Sequence, residues 1–181
     1  MTEARKIRIC IAIIALLLLV LAAMVYKFIV LGSTGGTTDG RTVVLITPAE
    51  RTFVLTEMRG LLAGVQGMSE ALAGDDVARV ARIARSLGMQ ADTGAPPGLM
   101  GKLPLEFKTL GLSVHTDFDR LADKADAKAA PKELLSQLSG VMQKCIACHD
   151  RYQFNAAPAQ GASLGRHLAA HSGDLRLATK Y

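Results

Sequence analysis

Residues 131–154 read PKELLSQLSGVMQKCIACHDRYQF, and the spacing of their apolar positions decides the architecture of the body. Leu134, Leu138, Val141, Cys145 and Cys148 follow one another at intervals of 4, 3, 4 and 3. That is the repeat of a helix with one apolar face. Pro131 suits the first turn, where a missing N–H loses no partner. The same repeat occurs three more times upstream. Val54, Met58, Leu61, Val65, Met68 and Leu72 form a long seam that opens at Thr47-Pro48 and ends at Ala73-Gly74. Asp75 or Asp76 caps a shorter helix that turns Val77, Val80, Ala81, Ala84 and Leu87 inward. Phe107, Leu110, Val114, Phe118, Leu121 and Ala125 line a helix that starts near Pro104. Four amphipathic helices with mostly short connections predict an all-α, antiparallel four-helix bundle over residues 47–154.

Composition agrees. The chain has 181 residues, half of them hydrophobic, with 4% aromatics and no Trp. That apolar content excludes intrinsic disorder for most of the chain, and three cysteines make no disulfide framework. The net charge of +5 is concentrated at the front: residues 1–31 carry +3, and the remaining 150 carry +2. No stripe of Lys and Arg interleaved with aromatics is present, so nucleic acid is not an expected partner.

Ile9 to Tyr26 is an uncharged run, and apolar character resumes after Lys27 through Leu31. At about 1.5 Å per residue this stretch is long enough to cross a bilayer. Arg5, Lys6 and Arg8 precede it, so the positive-inside rule leaves the N-terminus in the cytoplasm and the body outside. The reading is residues 1–31 as a cytoplasmic N-terminus and single-pass anchor in a bacterial cytoplasmic membrane, with the body in the periplasm. A cleaved signal peptide ending near Val20-Leu21-Ala22 is the alternative. Cys10 reads as a small apolar residue of this helix. Residues 32–46 read as a linker, flexible over Gly32–Gly40, and Val43–Thr47 reads as a short extended piece, though one such run makes no sheet. Residues 155–181 read as a loosely held tail.

Cys145-Ile146-Ala147-Cys148-His149 carries the chemistry. Each thiol of a Cys-x-x-Cys-His motif adds across one vinyl group of haem: a C–S bond forms, and the thiol hydrogen goes to the other vinyl carbon. The histidine then supplies an axial imidazole to iron. Positions i, i+3 and i+4 project from one helix face, here the apolar seam, so the haem is expected to be buried between helices. A redox Cys-x-x-Cys expects a βαβ context, and a zinc site expects a second ligand pair; neither is visible.

On these residues the chain resembles class II c-type cytochromes, the cytochrome c-prime family and its low-spin relatives, over roughly residues 48–154. The resemblance is carried by CIACHDRYQF, by MRGLL and ALAGDD of the first helix pair, and by LPLEFKTLGLSVHTDFDRLA of the third helix. It implies one covalent haem c held by Cys145 and Cys148, with His149 as axial ligand. It also implies that the other axial position faces the first helix of the bundle, where Met58 stands. A thioether there suits a low-spin electron carrier and raises its potential; packing in the seam is the other role open to Met58.

The function expected is single-electron transfer on the periplasmic side. The partner would be a redox protein or a respiratory or photosynthetic membrane complex, with the head swinging on its linker. If Met58 leaves the iron open, binding of NO or CO replaces electron transfer. A fixed haem subunit of a larger complex is a third reading. No acid–base pair or nucleophile constellation suggests an enzyme. The family implies a possible homodimer through the first helices. Met68 shares the seam but lies further along it. His115 reads as a satisfied or surface residue, and His167 and His171 as a weak metal pair in the tail. Phe107 and Phe118 read as pocket or core residues, and Arg79, Arg82 and Arg85 as a solvated basic face.

Overall fold

A computed structural model of the chain describes residues 3–36, 39–91 and 94–156. The tail residues His167 and His171 lie outside the described residues. The described chain is mostly helical, with six helices and a small sheet. An N-terminal helix, α1 (Glu3–Val25), runs on into a π-helical turn at Tyr26–Leu31. Strands β1 (Thr34–Gly35) and β2 (Thr42–Ile46) follow, and then α2 (Pro48–Ala73) and α3 (Val77–Ser86). A single turn, α4 (Leu99–Lys102), leads into α5 (Leu105–Asp126), α6 (Pro131–Arg151) and β3 (Tyr152–Ala156).

The helix boundaries follow the sequence signals. Thr47 caps α2 through a reciprocal capping box: the Glu50 amide donates to Thr47 Oγ1 at 3.2 Å, and the Thr47 amide donates to Glu50 Oε2 at 2.7 Å. Gly74 ends α2, and Asp76 caps α3 by accepting from the Arg79 amide at 2.9 Å. Helices α2, α3, α5 and α6 bury their seams in one core, with Met68, Val80, Ala84, Phe118, Leu121, Leu134 and Leu138 all 1% exposed or less. Between α3 and α5, the residues Leu99–Lys102 form the single turn α4.

The expectation of an all-α body is corrected by the sheet. β2 pairs antiparallel with β1 and parallel with β3, with Val43 opposite Gln153 and Val44 opposite Phe154. Thr42-Val43-Val44-Leu45-Ile46 is rich in β-branched residues, and Tyr152 and Phe154 supply aromatic strand formers to pair with it. The partner strand comes from 110 residues downstream, so a local reading of Val43–Thr47 sees no sheet. Residues 32–46 are therefore only partly a linker, and β3 carries Asn155 and Ala156 beyond the expected end of the body at residue 154. The sheet buries Val44, Ile46 and Tyr152 in a second core with Val54, Leu99 and Leu103, against which Phe53, Phe107, Cys148 and Phe154 pack.

The N-terminal helix, Glu3–Leu31, is long and apolar enough to be a membrane span or a signal sequence, and its apolar window buries nothing against the body. Its C-terminal end is tied down. The Gly32 amide donates to Lys27 O at 3.0 Å, the i to i−5 bond that defines the π turn. The Ser33 amide donates to Lys102 O at 2.7 Å, and Ser33 O accepts from the Leu45 amide at 2.8 Å. Lys108 Nζ donates to Ile29 O at 3.0 Å. Gly32 itself is buried, at φ 65° and ψ −157°. A swinging head on a random-coil tether is not what these contacts describe.

Candidate functional site

The seam of α6 emerges from the main core at the Cys-x-x-Cys-His motif. Leu134, Leu138 and Val141 are 0–1% exposed; one turn further on, Cys145 and Cys148 are half-buried and His149 is exposed. The sequence puts this face in the middle of the helix packing. The structure puts it at the rim between the two cores, because α6 outruns the main core by more than two turns before β3 begins. Helix geometry holds through the motif, and the Tyr152 amide closes it by donating to Cys148 O. Tyr152 then turns to extended backbone, its ring edge-on to Phe107 at 5.3 Å; Phe154 stands against the same ring at 5.4 Å.

The two cysteines are free thiols, and Cys145 Sγ donates to Val141 O at 3.6 Å. Burial pushes both above the ordinary thiol value, and at Cys148 the neighbouring Cys145 adds to the effect. Both are therefore protonated at neutral pH. A nucleophilic redox pair needs the opposite shift, so the environment disfavours disulfide chemistry here. Among the described residues no group of three or more His, Cys, Asp and Glu side chains converges as a metal-ion site.

Met58 lies on α2 and is 37% exposed. Its height relative to the motif follows from which residues share a core. Val54 and Cys148 meet in the sheet-side core, and Met68 and Leu72 meet Leu134 to Val141 in the main one, so α2 and α6 run antiparallel. Met58 lies on α2 between these two points, as Cys145 does on α6. The contacts of α5 give a second ruler: Glu106 pairs with Arg151, Lys144 reaches Ser113 O at 3.3 Å and Asp117 at 2.5 Å, and Lys124 pairs with Glu133. On that ruler Leu112 stands level with Cys145. Met58, Leu62, Leu112, Met142 and Ile146 are all exposed apolar side chains.

Met68 is fully buried in the main core, out of reach of the motif's exposed histidine, and Phe118 fills the same core. His115 Nδ1 lies 2.7 Å from Leu87 O, which can only accept, so Nδ1 carries the proton and the ring closes the end of α3. Arg79 pairs with Glu70, and Arg85 with Asp123 and Asp126, so two of the three arginines on α3 are held in ion pairs.

Sequence reasoning gave no role to Tyr152, Phe154, Leu62, Leu112, Met142 or Ile146. A signal was present for two of them: Met142 and Ile146 sit beside seam positions and widen the apolar face over the motif. An open groove on the α5–α6 surface, lined by the stems of Asp117, Arg120, Lys124, Glu133, Gln137 and Lys144, ends one residue short of Cys145.

Two protonated thiols, half-buried, and an exposed imidazole lie within one and a half turns of one helix beside exposed apolar side chains, the donor types that a c-type haem would need. Compared with family models, curated proteins and solved structures, the chain matches none.

Proposed function

We propose that the chain is a membrane-anchored monohaem c-type cytochrome of the four-helix-bundle class that carries single electrons on the periplasmic side of the bacterial cytoplasmic membrane. The observation that carries the reading is the placement of Cys145, Cys148 and His149 on one face of α6, where the seam leaves the core. Cys145 and Cys148 would hold haem c by thioether bonds, and His149 and Met58 would bind its iron. The bound group supplies a one-electron couple at iron. The residues of this chain supply the rest. The seam and the aromatic edge of Phe107, Tyr152 and Phe154 fix the backbone that presents the thiols, and Leu62, now exposed, would pack on the bound group. Burial that keeps the thiols protonated also protects them from premature disulfide formation before attachment.

The anchoring contacts at Gly32, Ser33 and Lys108 support retention of the N-terminal helix, because the body is built onto its last turn. They favour a head of fixed orientation, either as a carrier confined to the membrane plane or as a permanent subunit of a redox complex.

The test is the optical spectrum of the exported protein, oxidised, reduced, and reduced with CO. The expected result is one covalent haem per chain and a sharp low-spin reduced spectrum that CO leaves unchanged. Met58→Ala should then become high-spin and CO-reactive. A CO-reactive native protein would instead make NO or CO binding the function. Protein exported by a haem-competent host without covalent haem would overturn the cytochrome reading altogether.

A further inference from the structure

The end of the N-terminal helix and the start of α5 are at one height, and hydrogen bonds fix that height. Lys108 Nζ donates to the carbonyl of Ile29, inside the apolar helix, and Lys102 O accepts from Ser33 just past its end. A side chain at Gly101 would meet the ring of Phe28 at 3.9 Å. Whatever depth Phe28 to Leu31 take in a bilayer, residues 99–108 must share it to within a turn. Two large apolar side chains of this segment, Met100 and Leu105, are 48% and 43% exposed, and neither belongs to a core. Leu105 precedes Lys108 by three residues and so shares its helix face. Apolar side chains beside a lysine that ties the body to the end of a spanning helix make up an interfacial segment, its apolar neighbours placed to enter the acyl boundary.

We propose that α4 and the first turn of α5 form a membrane-seating collar: Met100 and Leu105 insert into the outer leaflet of the phospholipid bilayer beside Phe28, and the head rests on the lipid in one orientation. The inference rests on reading Glu3–Leu31 as a membrane span. Its occupant is lipid rather than a second copy because the patch is continuous with the spanning helix itself. One consequence concerns the site. Arg151 pairs with Glu106, one residue past Leu105, so the motif end of α6 lies at the membrane-proximal end of the body. A partner that exchanges electrons with Cys145–His149 would then be embedded in, or resting on, the same membrane.

The chain has no tryptophan, so single substitutions report depth directly. Leu17→Trp, Leu105→Trp and Leu135→Trp would be made in the full chain and reconstituted into phosphatidylcholine vesicles with or without brominated acyl chains. The ratio of the two intensities cancels quenching common to both vesicles. Leu135 is as exposed as Leu105 but lies near the start of α6, at the far end of the body roughly 30 Å along α5. The expected result is quenching of about twofold or more at positions 17 and 105, at a depth suited to interfacial insertion, and none at 135. Quenching at 17 without quenching at 105 overturns the collar and leaves the span standing. Absence of quenching at 17 overturns the span, and the collar with it. Equal quenching at 105 and 135 would show non-specific adsorption of the head and also overturn the collar.

Discussion

Replacing Gly32 by alanine should uncouple the head from its helix without unfolding it. Two costs add at this position. The backbone angles, φ 65° and ψ −157°, belong to a region used almost solely by glycine, and another residue there is strained by about 1–3 kcal/mol. A Cβ would also lie 2.8 Å from both the Leu103 carbonyl carbon and the Pro104 nitrogen, and closer still to Lys102 O. All three are backbone atoms, so no rotamer change relieves the clash. The chain must back away, which breaks the bond from the Ser33 amide to Lys102 O, worth about 0.5–1.5 kcal/mol. Opening of the junction should become easier by about 2–3 kcal/mol, which is roughly 30- to 150-fold in an opening equilibrium. Hydrogen exchange followed by mass spectrometry on the full chain in lipid reads this directly. The Ser33 amide should exchange faster by about that factor. Amides around Leu121, fully buried in the main core, should be unchanged. Unaltered exchange at Ser33 would refute the reasoning. So would an equal loss of protection around Leu121, because Gly32 would then belong to the global fold rather than to a local junction.

Two further outcomes follow from the packing. Phe118 fills the centre of the main core at 1% exposure, so Phe118→Ala should destabilise the body by about 3–5 kcal/mol, seen as a large drop in thermal midpoint. Glu50 is 5% exposed. Burial raises its carboxyl, but Lys102 at 2.7 Å and the two Thr47 hydrogen bonds outweigh burial and hold it below the ordinary carboxylate value. A folded-state value below the unfolded one contributes stability that is complete above the ordinary value, about 4.3, and is lost as pH falls through the folded value. Denaturant midpoints measured down to pH 3 should show that loss. Lys102→Met should reduce the acid-side loss and cost about 1–2 kcal/mol at pH 7, a discounted figure because the Lys102 side chain is 32% exposed. An unchanged midpoint at pH 7 would show that the pair is not a determinant of stability.

The helices were legible because their determinants are local. A 3-4 apolar repeat, a proline at a first turn, and Thr47 with Glu50 three residues on are patterns that no distant residue alters. The Cys-x-x-Cys-His spacing was equally local, and helix geometry placed its three side chains on one face before any packing was known. The extended run at Val43–Thr47 was legible, but its pairing into a sheet was not. β2 is a five-residue run whose partner lies beyond α6, and a strand acquires its meaning from the strand beside it. The burial of the motif was also misread, since periodicity says which face turns inward but not how far the neighbouring helices extend to cover it.

What the sequence determined by itself is what nearest neighbours along the chain decide: four amphipathic helices, an apolar N-terminal helix, and the placing of Cys145, Cys148 and His149 on one helix face. Only the tertiary structure decided which ends of those elements meet. It closed β2 against β3, packed Cys148 against the sheet-side core, and seated the last turn of the N-terminal helix on Lys102 and Lys108. These are contacts between residues far apart in sequence. Their geometry comes from how two cores fill and where backbone hydrogen bonds find partners, which no local pattern encodes.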